Sequence, residues 1–532
     1  MAEAITELLP TVGEKIDTLS FGELRIAARD WHDQAAYWKS QFERAKEREI
    51  KKDKKIETLE AEIRLWKQKL FGKKSESKKS PDKIEGEIIP KKEKKKRGQQ
   101  AGAPGHKRRE YDLEIIKENK ELPEDERRCP ICGALGVHKG LTHEADIVEI
   151  EVKGYKRKVS RPQYHKTCDC PETPAIISAP APDRLIKGNN LGVSVWTYLL
   201  LLKFNFHIPL SRALKHLALY NVDLPIGTIT DGFRRIQPLF KPILESIKNT
   251  SLQEHHWHAD ETRWSVFVSI EGKAGHRWYL WVYRSENCIY FQLEPSRGTK
   301  VPLDFFPDDI IGILSVDRYS AYKCLIKSIK GLVLAFCWAH VRRDFLDAFK
   351  KWPVLEKWTV AWMLEIRELY RLNDLRCEKE VETKDWVTAD TQLRKQVELM
   401  KGKMDDELAM DSLHSESKKV LTSLSNHWEG LTVFLDNPHV PLDNNPAEQT
   451  VRGPTIGRNN YFGSGSSWSA KLASSLFSLF ATLRLHGINP DEWLNSYLNA
   501  CAAAGGKPPA DISSFTPWDN RNQDKIEIKS SA

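Results

Sequence analysis

The stretch HHWHADETRWSVFVSI, residues 255–270, alternates polar and apolar side chains with a period of two, the pattern of a half-buried β-strand. RWYLWVYR (277–284) and CIYFQLEP (288–295) follow as two more strands, linked as hairpins. VPLDFF (301–306) fits a short helix. IIGILSVDRYSAY (310–322) is a buried apolar strand that ends on Asp317, and LVLAFCWAHVRRDFLDAF (332–349) is a strand running into a helix. Three strands, a helix, a strand, a helix and a strand is close to the order of a ribonuclease-H-like sheet.

In that arrangement Asp260 lies on the first strand and Asp317 at or just past the end of the fourth, so both can face one edge of the sheet. Carboxylates within a few ångströms of each other repel, and neither remains ionised without a counter-charge. Hard divalent cations remove the conflict. Mg²⁺ (or Mn²⁺) takes carboxylate oxygen and keeps waters for a substrate phosphate. Two such ions suit an in-line phosphoryl transfer. The third carboxylate is expected beyond a long helical region, about 346–430. There VPLDNNPAEQTVRGPTIGRNNYFGS (440–464) places Glu448 in the first turn of a helix, with Asn444 or Asn445 as its cap and Pro446 in its first turn. Arg452 follows at i+4, within reach of a DNA phosphate, and Arg458, Asn459 and Asn460 form a second polar cluster. Taken singly each acid is more often a cap or a solvated side chain; the case rests on the three together.

Upstream, residues 20–72 contain no Pro and are dense in helix formers. Ile56, Leu59, Ile63, Trp66 and Leu70 recur at heptad spacing, and the register runs back through Ala45, Phe42, Trp38, Ala35, Trp31 and Ala28, with Glu49 and Lys52 breaking the seam. A short coiled coil and a homo-oligomer are expected, against a single amphipathic helix packed on its own domain. Residues 73–110 are Lys-, Gly-, Pro- and Ser-rich and are expected to form a flexible linker. Within it Lys94, Lys95, Lys96 and Arg97 would hold phosphates without reading sequence.

The pairs Cys129/Cys132 in CPICG and Cys168/Cys170 in CDC flank a strand-like stretch, DIVEIEVKGYKRKVSRPQY (146–164). Two short-spaced thiol pairs supply the four soft ligands that tetrahedral Zn²⁺ needs. Four free thiols are the alternative, and His143 and His165 are possible substitute ligands. PLSRALKHLALYNVDLPIGTITDGFRRIQPLF (209–240) is laid out like a helix-turn-helix, with Thr228 or Thr230 as the second helix's cap; plain packing explains it equally well.

The expected fold is therefore multidomain α+β. A helix or coiled coil occupies 1–72, the linker 73–110, a zinc-binding β segment 111–178 and a helical, helix-turn-helix-like domain 179–250. A ribonuclease-H-like α/β core spans 251–345 and 431–500, interrupted by a helical insertion at 346–430 and followed by a tail at 501–532. The net charge of +8 is modest for 532 residues, but its basic excess near the N-terminus points to an anionic polymer. The nine Cys, an odd number, argue for metal ligation and reduced thiols over a disulfide framework. The longest apolar stretch, LGVSVWTYLLLLKF (191–204), is too short for a bilayer and the N-terminus has no signal-like apolar core, so a cytoplasmic, nucleoid-associated protein without a membrane partner is expected.

At these residues the sequence resembles the insertion-sequence-66 group of bacterial DDE transposases. HADET (258–262), DRYSAY (317–322), CWAHVRRDF (337–345) and LDNNPAEQTVRGPTIGRNNYFGS (442–464) resemble successive blocks of that family, and KLFGKKSE (69–76), RGQQAGAPGHKRR (97–109) and the Cys pairs resemble its upstream segments. Asn459 stands where the family pattern has Lys, which weakens one phosphate contact. The resemblance implies that Asp260, Asp317 and Glu448 are the catalytic acids, that Cys337 and His340 lie near the active site, and that the partners are double-stranded DNA, as terminal inverted repeats and target, and accessory proteins of the same element. A zinc-containing regulator and a structure-specific nuclease of the same fold are the rival readings.

Overall fold

The computed structural model describes residues 20–71, 122–124, 126–136, 152–165, 167, 171–172, 174, 176–270 and 275–518. The chain divides into two compact units, residues 1–72 with 154–532, and residues 73–153. Lys94 to Arg97, Cys168 and Cys170 lie outside the described residues.

The first unit begins with a 51-residue helix, α1 (Phe21–Phe71). Ala61 and Leu65 are buried, and between them Arg64 donates to the carbonyl of Lys351 (3.2 Å) and lies over the ring of Trp352. In the second unit CPICG forms a tight turn. The Cys129 amide donates to the carbonyl of Ala134 and the Gly133 amide to that of Cys129, with Gly133 in the left-handed region that glycine tolerates best.

The strand expected across 146–164 is not present over 152–162, whose described backbone pairs with nothing in a ladder. Strand-like composition by itself makes no strand without a partner of matching register. Pairing starts only with β1 (Gln163–His165), antiparallel to β2 (Ile176–Ser178).

Four helices follow: α2 (Val193–Leu200), which runs on as a π-helical turn through Asn205, α3 (Leu210–Ala218), α4 (Ile226–Ile236) and α5 (Lys241–Ser251). α4 starts earlier than the expected Thr caps. Pro225 is its N-cap, and the Thr230 hydroxyl bonds back to the carbonyl of Ile226, so it serves the helix interior.

The sheet comprises β3 (His256–Ser265), β4 (Arg277–Arg284), β5 (Ile289–Glu294), β6 (Gly312–Val316) and β7 (Leu332–Phe336), in the order β5-β4-β3-β6-β7. β3–β4 and β4–β5 are antiparallel; β3–β6 and β6–β7 are parallel. The molecule is thus mixed α/β with a mixed sheet. Parallel neighbours need crossover connections, and α6 (Lys300–Phe305) and α7 (Ser320–Ser328) make them.

Successive side chains of a strand point to opposite faces, and both faces here are covered. Trp257, Ala259, Trp281 and Tyr283 pack with Phe305 and Tyr322 of α6 and α7. Trp264, Leu280, Val282 and Phe291 pack with α2 to α5 and with Leu476, Phe477 and Phe480 of α14 (Ser467–Leu485). β5 is an edge strand, and α14 covers that edge chemically. The Ser478 hydroxyl accepts from the Phe291 amide (2.8 Å) and the Thr482 hydroxyl from the Ile289 amide (3.1 Å). Backbone donors that would otherwise invite a further strand are satisfied.

β7 leads into α8 (Trp338–Lys351), then α9 (Glu356–Cys377), α10 (Lys384–Leu408), α11 (Ser415–Asn426) and a short α12 (Trp428–Leu431). These helices share a core of their own around Trp338, Phe345, Trp362, Leu393 and Leu421. Inside it Arg376 is fully buried, pairs with Asp390 (3.0 Å) and donates to the carbonyls of Phe434 and Leu435. A buried guanidinium is tolerable only with such partners. α13 (Asn445–Tyr461), α14 and α15 (Pro490–Ala503) complete the unit, and Trp493 of α15 donates to the carbonyl of Phe515, holding the following segment on the core.

Candidate acidic catalytic site

Asp260 lies near the middle of β3 on the face that receives α13, and its Oδ1 accepts from the Glu261 amide (2.8 Å). Asp317 follows β6 directly and accepts from the Tyr319 amide (2.9 Å), a local turn that opens α7. Glu448 stands in the first turn of α13. The three are close enough to act on one another. Burial, first, and then Glu261, Asp317 and Glu448 push the Asp260 carboxyl up to about 7. Burial and neighbouring negative charge both favour the protonated form of a carboxyl.

The segment before α13 makes the convergence possible, in a way the sequence did not disclose. Asn444 is the helix N-cap by position, but its side chain does not cap. It is buried, donates to the carbonyl of Ala259 (2.7 Å) and bonds to the ring of His258 (3.0 Å), which ties α13 to β3 at the two residues before Asp260. Asp443 accepts from the Ala339 amide (2.9 Å) and the Tyr370 hydroxyl (2.5 Å), which caps the start of α8 and reaches α9. Arg284 donates to the Pro446 carbonyl (3.1 Å). Asp443 and Asn444 were visible in LDNNP, but there they look like ordinary helix-start residues.

Cys337 and His340 lie where α8 begins, beside Glu448. Cys337 Sγ, a His340 ring nitrogen and a Glu448 oxygen fall within 4.8 Å of one another, and His340 Nδ1 is 3.8 Å from Glu448 Oε1. Both of the last two atoms are buried and have no hydrogen-bond partner. Burial holds the Cys337 thiol up at about 11 and lowers the His340 imidazole, so both are neutral near pH 7. Among the described residues this trio, not the three acids, is the set whose ligand atoms are already at metal-binding spacing.

Glu261 is a further acid on β3, next to Asp260. It points to the opposite face from Asp260, where it pairs with Arg297 (2.5 Å) and accepts from the Tyr322 hydroxyl (2.8 Å). Its neighbour in HADET was the only hint, and alternation would have sent it away from the site. Of the residues expected to touch DNA, Arg452 and Asn459 are exposed on α13. Arg458 is not free: its guanidinium donates to the Thr262 hydroxyl (3.1 Å) and to the Arg263 carbonyl, bracing α13 against β3. At Cys129, the amides of Cys132 and Ile131 point at the sulfur and lower the thiol, which favours a thiolate there.

A family model described as Transposase IS66 family matches residues 188–472, which hold β3 to β7, helices α8 to α12 and α13. The chain is also similar to uncharacterized proteins of Sinorhizobium fredii. It is 26% identical to y4jD over 452 residues, covering 79% of this chain and 83% of that protein, and 23% identical to y4hP, covering 76% and 75%. With the match spanning more than half its length, this chain belongs to the IS66 transposase family.

Proposed function

We propose that this protein is a DNA transposase that cuts and joins strands with Asp260, Asp317 and Glu448 as metal-holding acids. The observation that carries the reading is the buried Asp260 carboxyl on the central strand β3, raised by burial and by the nearby charges of Glu261, Asp317 and Glu448, the last on the helix packed against that face. The buried, unpartnered Glu448 Oε1 adds an acceptor with nothing to accept from, as suits a ligand. The ribonuclease-H-like assignment rests on the strand order β5-β4-β3-β6-β7 with its two parallel pairs.

Mg²⁺ or Mn²⁺ bound by these acids would activate the attacking oxygen and neutralise charge on the leaving one. The chain's own part is to hold and position. Asp260, its carboxyl held up to about 7, would give up its proton to hold a cation. Asn444 fixes α13 on β3, so that Glu448 keeps its place relative to Asp260. His340 stands beside Glu448, its Nδ1 3.8 Å from Oε1 with no hydrogen bond between them, as a neighbour of the proposed ligand. Arg452 offers a phosphate contact one turn further along α13. DNA would be gripped through its backbone by Lys94, Lys95, Lys96 and Arg97. Zn²⁺ on Cys129, Cys132, Cys168 and Cys170 completes the proposal, supported by the amides that face Cys129.

Asp260→Asn is expected to abolish Mg²⁺-dependent cleavage of element-end DNA and to leave binding of that DNA within about two-fold, since backbone charge contacts supply most of the affinity. Cleavage retained by this variant defeats the assignment. Pre-cut ends that are never joined to a target would make the protein a nuclease only.

A further inference from the structure

We propose that α1 pairs with α1 of a second copy of this chain as an antiparallel coiled coil, in which Glu49 meets the partner's Lys52 at the centre. The proposal concerns assembly and is independent of the chemistry assigned to the acids.

α1 docks on its own unit through one face and leaves the opposite face bare. In the heptad that puts Ile56 and Ile63 at a and Leu59 and Trp66 at d, the docked residues Ala61, Arg64 and Leu65 occupy f, b and c. The a/d seam points away. Trp31, Trp38, Phe42, Ile56, Leu59, Ile63 and Trp66 along it are each 49% to 67% exposed. Such a row of large apolar groups along one helix marks an interaction surface.

The seam has a centre of symmetry. Glu49 is an a position and Lys52 a d position, and both are exposed with no ion pair among the described residues. In an antiparallel pair an a residue faces a d residue of the other helix. If Glu49 faces the partner's Lys52, Ala45 faces the partner's Ile56, Phe42 faces the partner's Leu59, Trp38 faces the partner's Ile63, and Ala35 faces the partner's Trp66. From Ala35 to Trp66 every seam residue meets another seam residue, and each Ala meets a large one, as close packing requires. What looks like a break in the heptads is then a complementary pair, made twice by the two-fold axis.

The parallel, in-register alternative places Glu49 against the partner's Glu49 and Lys52 against the partner's Lys52 inside the seam, and it stacks Trp on Trp and Ala on Ala. Its flanks would be favourable, with Arg48–Asp53, Lys55–Glu60 and Glu62–Lys67 pairs between chains. The antiparallel flanks pair Lys46 with the partner's Asp53 and Lys39 with the partner's Glu60, and oppose Arg48 to the partner's Lys55. Solvent-exposed flank pairs discriminate weakly, whereas like charges within a seam are strongly unfavourable. The seam therefore decides for the antiparallel form. Ala35 to Trp66 spans 31 helical steps, so the paired rod is roughly 45 Å long at about 1.5 Å per residue.

Sedimentation equilibrium of the full chain under reducing conditions, with circular dichroism to confirm folding, tests this. The wild type should be dimeric. Glu49→Lys and Lys52→Glu should each weaken the dimer about ten-fold or more, because each puts like charges into the seam. The double swap should restore it to within about three-fold, because it only exchanges the partners. A monomeric wild type overturns the proposal. So do single variants that dimerise like the wild type, which is the outcome for a parallel pair or another dimer surface. A double variant that stays as weak as the single ones overturns it as well.

Discussion

Asp260 shows how one side chain can report a site. Its unfolded value is 3.8 and its folded value is about 7. An acid raised in this way favours the fold while it is protonated, and that contribution is lost as pH rises from about 4 through 7. Without divalent cations, the wild type should lose up to roughly 4 kcal/mol of stability across that range, and Asp260→Asn should lose much less. Adding Mg²⁺ at pH 8 should return the loss to the wild type alone. Thermal melts at pH 5 and pH 8, with chelator and with Mg²⁺, check this. Equal pH dependence in both proteins would place the strain elsewhere. At the same scale, Asp260, Asp317 and Glu448 could be picked from the sequence by residue type and context. Glu261 could not, because period-two alternation aims it away and only its contacts with Arg297 and Tyr322 bring it into the account.

The elements depend on polar side chains that reach across chain distances no local pattern spans. Asn444 lies far from Ala259 in sequence and is hydrogen-bonded to its carbonyl (2.7 Å). Asn444→Ala should strand that buried carbonyl and free α13 from β3. A destabilisation of about 1–3 kcal/mol is expected, with strand cleavage falling further than stability does, since Glu448 rides on the same helix. Denaturant titration beside a cleavage assay separates the two effects, and cleavage that falls only in step with unfolding would make Asn444 a purely structural residue. The helices between β7 and α13 were legible as helices from their composition. Their closure on a buried Arg376–Asp390 pair was not, because a lone Arg in a helical stretch looks solvated until its neighbours are known.

Across the molecule, the proposed division of labour separates holding DNA from cutting it. Replacing Lys94, Lys95, Lys96 and Arg97 with Ala should lower the slope of log binding constant against log salt by about 3–4, near 0.9 for each phosphate that is no longer neutralised. Cleavage by the variant at saturating DNA should be unchanged. A slope equal to that of the wild type would mean these residues touch no DNA. Among the described residues no helix is long and apolar enough to cross a membrane. By itself the sequence determined the strand and helix order of the sheet and the long N-terminal helix, because hydrophobic periodicity is a local property, and it singled out the three acids proposed as catalytic. The stretch 152–162 marks the limit of that logic: it reads as strand-like but joins no ladder among the described residues. Only the tertiary structure decided that Asn444 serves β3 and not its own helix, that Arg458 braces the sheet, that Glu261 is paired, and which face of α1 is left bare. Each of those depends on side chains remote in the sequence meeting in space, and such meetings exist only once packing has fixed who stands beside whom.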